Sequence, residues 1–178
     1  MSDTCPGERY KAGLVAPSEC ETAKEEVIRE KVLQLLLRDK GFQPEDLEVD
    51  VPYEFQSGED AFQSRASIII RLEGRRLVLI KCGAGSILAR ERPSLSLARL
   101  MDAVQIPLTV VTNSEDATLL NTLNGETLEC GLAAIPTRAQ VQERVKELEF
   151  IPLPEKRLVM EKRILSAFEA LGLHGECH

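Results

Sequence analysis

Two strand-like segments hold the residues whose types and spacing could do chemistry. The first segment contains Arg65 and Ser67, and the second contains Leu79 and Lys81. A hairpin centred near Gly74 would bring Ser67 opposite Lys81. A lysine ammonium can position an attacking water or hold a phosphate, whereas a serine hydroxyl is a feeble Mg²⁺ ligand and a leucine is none. Lys81 is therefore either a solvated strand end or a candidate anion-binding residue in a cleft that it shares with Ser67.

Small residues follow the second segment. We expect a loop here whose backbone N–H groups could form an anion nest, with arginine side chains adding positive charge. No Gly-Lys-Ser/Thr follows, so this is not a P-loop, and an ordinary turn is the alternative. The candidate nucleic-acid-binding or anion-binding residues are Arg65, Lys81, Gly83, Gly85, Ser86, Arg90 and Arg92.

The charge of the chain is unevenly distributed. The net charge is −7, which disfavours nucleic acid as a partner. Residues 65–99, however, carry eight basic and two acidic side chains, so this segment is +6 and the remainder is −13. The sequence therefore predicts a local basic surface on the hairpin and the loop after it, and a solvated charged face is the alternative.

Composition limits the classes of protein that fit. A chain of 178 residues with 43% hydrophobic content suits one globular domain. Aromatic residues make up 4% and Trp is absent, so platforms for stacking single-stranded bases are poorly supplied. No apolar run is long enough for a membrane span, and the N-terminal residues lack the pattern of a secretory signal. We therefore expect a cytoplasmic protein without a membrane partner.

The five cysteines have irregular spacing and fit no disulfide framework. Cys82 and Cys130 are expected to be buried small hydrophobic residues. At the tail, His174, Cys177 and His178 could reach one metal ion if the last turn stayed helical, although terminal segments usually fray. No cofactor is expected elsewhere.

The pattern of apolar residues predicts an α/β protein. It gives a helix from Thr22 to Gly41 and then three strands, at 47–55, 65–71 and 76–81. A helix beginning at Pro93, a buried strand at 107–111 and a hairpin at 117–130 that turns at Asn124-Gly125 follow. Two helices, at about 138–148 and 155–171, close the chain. Residues 1–20 are expected to form a flexible arm, residues 21–136 the main domain, and residues 137–178 a helical extension.

Several short sequence motifs follow one another in an order that is also found in a known protein family. They are Glu25 to Arg29 with Leu36-Leu37 and Gly41-Phe42, then Leu47 to Pro52, Arg65-Ala66-Ser67, and Val110-Val111-Thr112-Asn113. Over roughly residues 22–136, this order resembles the N-terminal nuclease domain of type I restriction enzyme R subunits, in the PD-(D/E)-x-K or restriction-endonuclease-like superfamily. The resemblance implies a core of one helix, three strands, a helix and a strand.

The same resemblance implies a degenerate catalytic site. Ser67 stands where the family has an Asp, Leu79 stands where it has a Glu, and Lys81 retains the family's Lys. Such nucleases hold Mg²⁺ with the two carboxylates, so these positions give no metal site unless another carboxylate has migrated into the cleft. Glu26, Glu59 and Asp60 are the candidates for that carboxylate.

Three functions follow from the sequence. The first is an inactive nuclease-fold domain that binds DNA, RNA or a protein partner through the basic hairpin and the Gly-Arg loop. The second is a Mg²⁺-dependent endonuclease with a rearranged acidic site, which requires an acid beside Ser67. The third is a structural or homo-oligomerising module that assembles through its C-terminal helices. No Walker motif is present, so a motor activity is not expected in this chain.

Overall fold

The first element is helix α1 (Glu19–Arg38), in a computed structural model that describes residues 19–172. Ile28, Val32 and Leu36 are buried at intervals of four residues, so one stripe of α1 packs against the sheet. The arm predicted for residues 1–20 lies outside the described residues, except that residues 19 and 20 belong to α1. The predicted first helix is confirmed.

Within residues 19–172, six strands form one mixed sheet in the order of the chain. They are β1 (Leu47–Ser57), β2 (Asp60–Leu72), β3 (Arg75–Cys82), β4 (Leu108–Thr112), β5 (Ala117–Asn121) and β6 (Thr127–Cys130). Only the β3–β4 pair is parallel, and helix α2 (Ile87–Leu100) connects these two strands. The remaining neighbours are antiparallel pairs. The hairpin predicted at Asn124-Gly125 is confirmed, with φ of +78° at Gly125.

Helix α2 begins six residues before the predicted start at Pro93. Ser86 is its N-cap and accepts a 3.3 Å hydrogen bond from the backbone N–H of Ala89. Pro93 lies inside the helix, where it lacks one backbone donor but does not end the helix. Arg90 and Arg92 are therefore helical residues, and the prediction that they lie in a loop was wrong.

Helices cover both faces of the sheet. Helix α1 and the short helix α3 (Arg138–Val145) cover one face, with Ile68, Ile70 and Ile80 in the shared core. Helix α2 and the last helix, α4 (Glu155–Gly172), cover the other face. The two predicted C-terminal helices are thus confirmed, and the described residues contain four α-helices. None of the helices in residues 19–172 is long and apolar enough to cross a membrane.

The two cysteines described in strands differ in exposure. Cys82 is buried, whereas Cys130 is exposed at the end of β6. The prediction of burial was therefore wrong for Cys130, because β6 pairs with β5 alone and forms an edge of the sheet.

Candidate functional site

Ser67 and Lys81 meet where β2 and β3 run side by side. Ile68 pairs with Ile80 and Ile69 with Leu79, so continuing this register by one residue places Ser67 opposite Lys81. Both side chains are buried, with 0% and 7% of their residue surface exposed. The sequence-based pairing agrees with this register.

A carboxylate from α1 completes the contact between these residues. The Ser67 hydroxyl donates a 2.7 Å hydrogen bond to Glu25 Oε1 and accepts a 2.9 Å hydrogen bond from the backbone N–H of Cys82. Lys81 Nζ lies 3.2 Å from Glu25 Oε2 and donates a 2.9 Å hydrogen bond to the carbonyl oxygen of Arg65. The ammonium and the carboxylate therefore neutralise each other in a closed set of hydrogen bonds.

The acid at this position is Glu25, not the predicted Glu26. The Glu26 side chain is 67% exposed and lies 3.8 Å from Arg29. Successive residues of an α-helix are about 100° apart around its axis, so the neighbour of an inward residue points elsewhere. Glu59 and Asp60, the other predicted acids, are exposed at the turn between β1 and β2.

Leu79 belongs to the apolar core between the sheet and α2. It is fully buried in one cluster with Ile69 and Leu97. Residues two apart on a strand share a face, so Leu79 and Lys81 lie on the same side of β3. A carboxylate at residue 79 would have to sit in this core, which means that the position is filled by packing and offers no ligand.

Helix α4 places a second buried acid near Lys81. The Ser64 hydroxyl donates a 2.5 Å hydrogen bond to Glu169 Oε1, and Glu169 is 5% exposed. A cavity of about 130 Å³ lies at the end of β3, where the first turns of α1 and α2 meet the last turns of α4. We call this cavity the Lys81 cleft; its lining residues are Lys24, Glu25, Lys81, Gly83, Ala84, Arg90, Phe168 and Glu169. Three basic and two acidic side chains line it, so its net charge is +1.

Arg90 folds back over the loop that precedes α2. Its Nε and Nη2 donate hydrogen bonds of 3.2 and 2.7 Å to the carbonyl oxygen of Ala84. A Cβ atom on Gly83 would lie 2.4 Å from Arg90 Nη1, so only glycine permits this approach. Gly85 has φ of +84° and turns the chain toward the cap at Ser86. In the loop that was predicted to form an anion nest, the Ala84 carbonyl oxygen thus accepts hydrogen bonds from Arg90.

The other predicted basic residues lie apart from Arg90. Arg92 forms two hydrogen bonds, of 2.8 and 3.1 Å, with Glu161 on α4. Arg65 Nη1 lies 2.8 Å from Asp50 Oδ1, and Asp50 has φ of +56° within β1. The segment predicted as a Gly-Arg loop therefore does not bring Arg90 and Arg92 together, because Arg90 bonds the Ala84 carbonyl oxygen whereas Arg92 pairs with Glu161 on α4.

The basic segment 65–99 is also divided. Arg71, Arg75 and Arg76 line a separate cavity of about 480 Å³ at the turn of the β2–β3 hairpin, together with Glu48. Arg76 Nε lies 2.8 Å from Glu48 Oε2, and the Arg75 guanidinium lies 4.9 Å from the Phe150 ring centroid. The predicted basic surface on the hairpin and the loop after it is divided in two, because Arg71, Arg75 and Arg76 lie at the turn of the hairpin and Lys81 lies at its other end.

The buried position of Cys82 makes its thiol a poor nucleophile. Burial raises its pKa to about 12, against the hydrogen bond from Ser67 that lowers it. Within residues 19–172, no group of three His, Cys, Asp or Glu side chains could hold a metal ion. The metal site considered for His174, Cys177 and His178 lies outside the described residues.

Sequence reasoning missed both acids of the cleft, although a signal was present. Glu25 precedes Ile28 by three residues, and Glu169 follows Leu165 by four, so each acid continues the buried stripe of its helix. A charged residue in phase with an apolar stripe indicates a side chain that points into the protein.

Comparison with known families decides the relationship. The family model for the type I restriction enzyme R protein N terminus matches residues 24–136, which is more than half of the chain. The chain belongs to this family. No curated protein and no solved structure matches it. In this member of the R protein N-terminus family, helices α3 and α4 lie beyond the matched residues, so the family part contributes Glu25, Ser67 and Lys81 and the extension contributes Glu169.

Proposed function

We propose that this chain is a restriction-endonuclease-like domain that does not hydrolyse DNA and that binds nucleic acid at the Lys81 cleft. Its family membership and its element order support the fold: α1, three antiparallel strands, the connecting helix α2 and the parallel strand β4. The added β5–β6 hairpin and the two C-terminal helices extend this core.

The observation that carries the loss of hydrolysis is the Glu25–Lys81 ion pair. A metal-dependent nuclease needs ionised carboxylates that are not already neutralised by an ion pair, so that they can bind Mg²⁺, and an amine that is free to position water. Here Glu25 accepts hydrogen bonds from both Ser67 and Lys81, and Lys81 is fixed further by the Arg65 carbonyl. The Glu25 carboxylate is therefore neutralised by Lys81 and does not bind a metal ion, and the Lys81 ammonium does not position a water molecule.

Two cations at the cleft support binding of a phosphate backbone. Lys24 and Arg90 line the cleft, and neither has a carboxylate within 4 Å in the described part of the chain. A backbone phosphate would pair with these cations, and binding would weaken with salt because counterions are released on association. A protein partner with an acidic surface is the alternative ligand, and competition between the two would distinguish them.

The test joins metal binding, cleavage and nucleic-acid binding. Mg²⁺ and Mn²⁺ are titrated by calorimetry, and plasmid and single-stranded DNA are incubated with each ion. We expect no metal binding and no cleavage. Binding of a 20-base-pair duplex, followed by fluorescence anisotropy, should weaken in Lys24→Gln and Arg90→Gln. The matched control is Lys31→Gln, since Lys31 is exposed on α1 and does not line the cleft. Equal binding by all variants at low salt would contradict nucleic-acid binding at this cleft.

A second function is favoured by one observation, namely that two buried acids line the cleft of Lys81. Glu25 and Glu169 would be the carboxylates of a rearranged Mg²⁺-dependent endonuclease. The acid beside Ser67 that this hypothesis required is present as Glu25. Cleavage that depends on Mg²⁺ and is abolished by Lys81→Ala, Glu25→Gln and Glu169→Gln would establish it and overturn inactivity.

The third hypothesis, assembly through the C-terminal helices, has an observation against it. Helix α4 packs on α2, β1 and β2 of its own chain, and its Leu165 is buried in the core. A concentration-dependent dimer in analytical ultracentrifugation, disrupted by substitutions on the outer face of α4, would be needed to restore it.

A further inference from the structure

One buried glutamate on α4 holds three arginines. The Glu161 side chain is 0% exposed, and it accepts hydrogen bonds from Arg92, Arg99 and Arg157. The Ser96 hydroxyl adds a fourth donor at 2.7 Å. We call Arg92, Arg99, Arg157 and Glu161 the Glu161 cluster. It carries three positive charges and one negative charge, so two positive charges are uncompensated.

The arginines of the Glu161 cluster differ in exposure. Arg99 is 4% exposed, and its Nε donates a 2.8 Å hydrogen bond to the carbonyl oxygen of Thr122. The side chains of Arg92 and Arg157 are each 41% exposed, and Glu161 is the only acid within 4 Å of either in residues 19–172. The guanidinium groups of Arg92 and Arg157 therefore face solvent, while Glu161 and Arg99 are buried beneath them.

Both exposed arginines keep unused donors. Arg92 uses Nη1 and Nη2, whereas Arg157 uses Nη2 alone, so Arg92 Nε and Arg157 Nε and Nη1 make no hydrogen bond to described residues. The Arg99–Glu161 pair already links α2 to α4, and Arg157 adds no further link because it lies on α4 itself. Desolvation by burial lowers the pKa of Arg99, Glu161 opposes this shift, and the positive charges of Arg157 and Arg92 add to the lowering.

We propose that Arg92 and Arg157 bind a phosphate group, and that Glu161 and Arg99 orient them for it. A guanidinium offers donors in a planar fork that matches two phosphate oxygens, and two such groups would neutralise the uncompensated charge. Glu161 fixes one edge of each fork, so less conformational freedom is lost when the anion binds. The phosphate is either a free inorganic or nucleotide phosphate or one in a polynucleotide backbone. This site shares no residue with the Lys81 cleft and does not depend on whether that cleft is active.

The first experiment uses inorganic phosphate on the full chain. The midpoint of thermal unfolding is measured against sodium phosphate concentration, with sodium chloride at equal ionic strength as the reference. We expect phosphate to raise the midpoint above the chloride reference, because a ligand that binds the folded state stabilises it. Phosphate also stabilises folded proteins generally, because it is excluded from their surface. Arg92→Gln and Arg157→Gln should therefore remove the saturable part of this rise at low phosphate concentration and leave only the general one. Arg163→Gln, an exposed arginine on the same helix without a carboxylate partner among the described residues, should retain the saturable part.

The second experiment separates the two sources of phosphate. Binding of a 20-base-pair duplex is measured across salt concentrations for the same variants. If the phosphate belongs to a polynucleotide, each substitution of Arg92 or Arg157 should reduce the slope of log K against log salt by about 1. If it is a free phosphate, duplex binding should be unchanged while the phosphate-dependent rise is lost. Lys24→Gln and Arg90→Gln should leave that rise intact, which separates this site from the cleft.

Two results would overturn the proposal. One is a phosphate effect with no saturable part at low phosphate concentration for the unsubstituted chain. The other is an equal loss of the phosphate effect in Arg163→Gln, which would indicate a diffuse charge effect. Glu161→Gln tests the orienting role, because without the carboxylate the guanidinium groups of Arg92 and Arg157 lose their fixed edge and the phosphate-dependent rise should become smaller; a larger rise would mean that Glu161 only opposes the anion.

Discussion

The Ser64 hydroxyl on β2 donates a 2.5 Å hydrogen bond to the Glu169 carboxylate on α4, joining residues 105 positions apart. Glu169 lies beyond the residues that the family model matches. The Lys81 cleft therefore has one wall that the family part of the chain does not supply. Substitutions in α4 should change what this cleft can bind, even though α4 lies outside the residues that match the family.

Lys81→Met is predicted to destabilise the protein by about 3–5 kcal/mol, because it leaves the Glu25 charge buried without its partner. Urea unfolding measures the change. The double substitution Lys81→Met with Glu25→Gln should recover most of the loss, since it removes the uncompensated charge. A loss below about 1 kcal/mol in the single variant would mean that the pair is effectively solvated.

Stability is predicted to fall in acid through Glu161. Burial would raise its pKa, but hydrogen bonds from Arg92 and Ser96 and the charges of Arg99 and Arg92 outweigh burial and lower the pKa from 4.5 to about 2. A carboxyl with a lowered folded-state pKa stabilises the protein above pH 4.5, and this stabilisation is lost as the pH falls toward 2. The contribution is about 3 kcal/mol.

The measurement for Glu161 is urea unfolding between pH 6 and pH 3. In Glu161→Gln the dependence on pH should be shallower, and stability at pH 6 should be lower. Glu155→Gln is the matched control, because Glu155 is an exposed acid at the start of the same helix. If Glu161→Gln and Glu155→Gln gave the same pH profile, the carboxyl of Glu161 would not be the titrating group.

Ser67→Asp is predicted to create Mg²⁺ binding in the Lys81 cleft. It adds a carboxylate beside Glu25, and Mg²⁺ is held by oxygen ligands that include one or two carboxylates. Calorimetric titration with Mg²⁺ should show saturable binding in this variant, whereas the unsubstituted chain should show none. Ser67→Asn has nearly the same shape without the charge and should not bind. Identical titrations for both variants would argue against a cleft of the nuclease type.

Leu79→Glu is predicted to unfold the protein rather than to supply a metal ligand. Leu79 is fully buried against Ile69 and Leu97, so an ionised carboxylate there would lose its hydration without gaining a partner. The loss should be on the order of 4 kcal/mol or more, whereas Leu79→Met should cost less than about 1.5 kcal/mol. A stable Leu79→Glu variant would show that the side chain has an open path to the cleft.

Gly83→Ala is predicted to act through Arg90. The new Cβ atom would meet the Arg90 guanidinium at 2.4 Å and displace it from the Ala84 carbonyl. Since the displaced group is the end of a flexible side chain, the stability loss should stay near or below about 1 kcal/mol. Duplex binding should weaken as it does in Arg90→Gln, and the combined variant should be no weaker than Arg90→Gln alone. Additive losses would place the effect of Gly83 elsewhere.

The sequence predicted the elements of this fold well. Alternation of apolar residues and the Asn124-Gly125 turn are local signals, and they located the strands and the second hairpin. The start of α2 was misplaced because Pro93 is typical of a first helical turn, and only the cap at Ser86 shows that the helix already runs through it. The pairing of Ser67 with Lys81 was accessible because hairpin register follows from the position of the turn.

The partners of the charged residues were not accessible in the same way. Glu25 and Lys81 are 56 positions apart, and Arg99 and Glu161 are 62 apart, so only the packing of helices on the sheet brings them together. Counting charges along residues 65–99 gave the correct sum but could not assign Arg92 to Glu161 or Arg76 to Glu48. A charge count describes a surface only when its members share a face.

The position of α4 also has a consequence for synthesis on the ribosome. Strand β3 ends at Cys82 and α4 begins at Glu155, yet Leu165 of α4 packs in the core that contains Leu79 of β3. At 5–20 residues per second, roughly 4–15 s pass between the emergence of these elements. During that interval α2 alone covers this apolar face of the nascent sheet, so the part that α4 will cover stays open to chaperones that bind apolar surfaces.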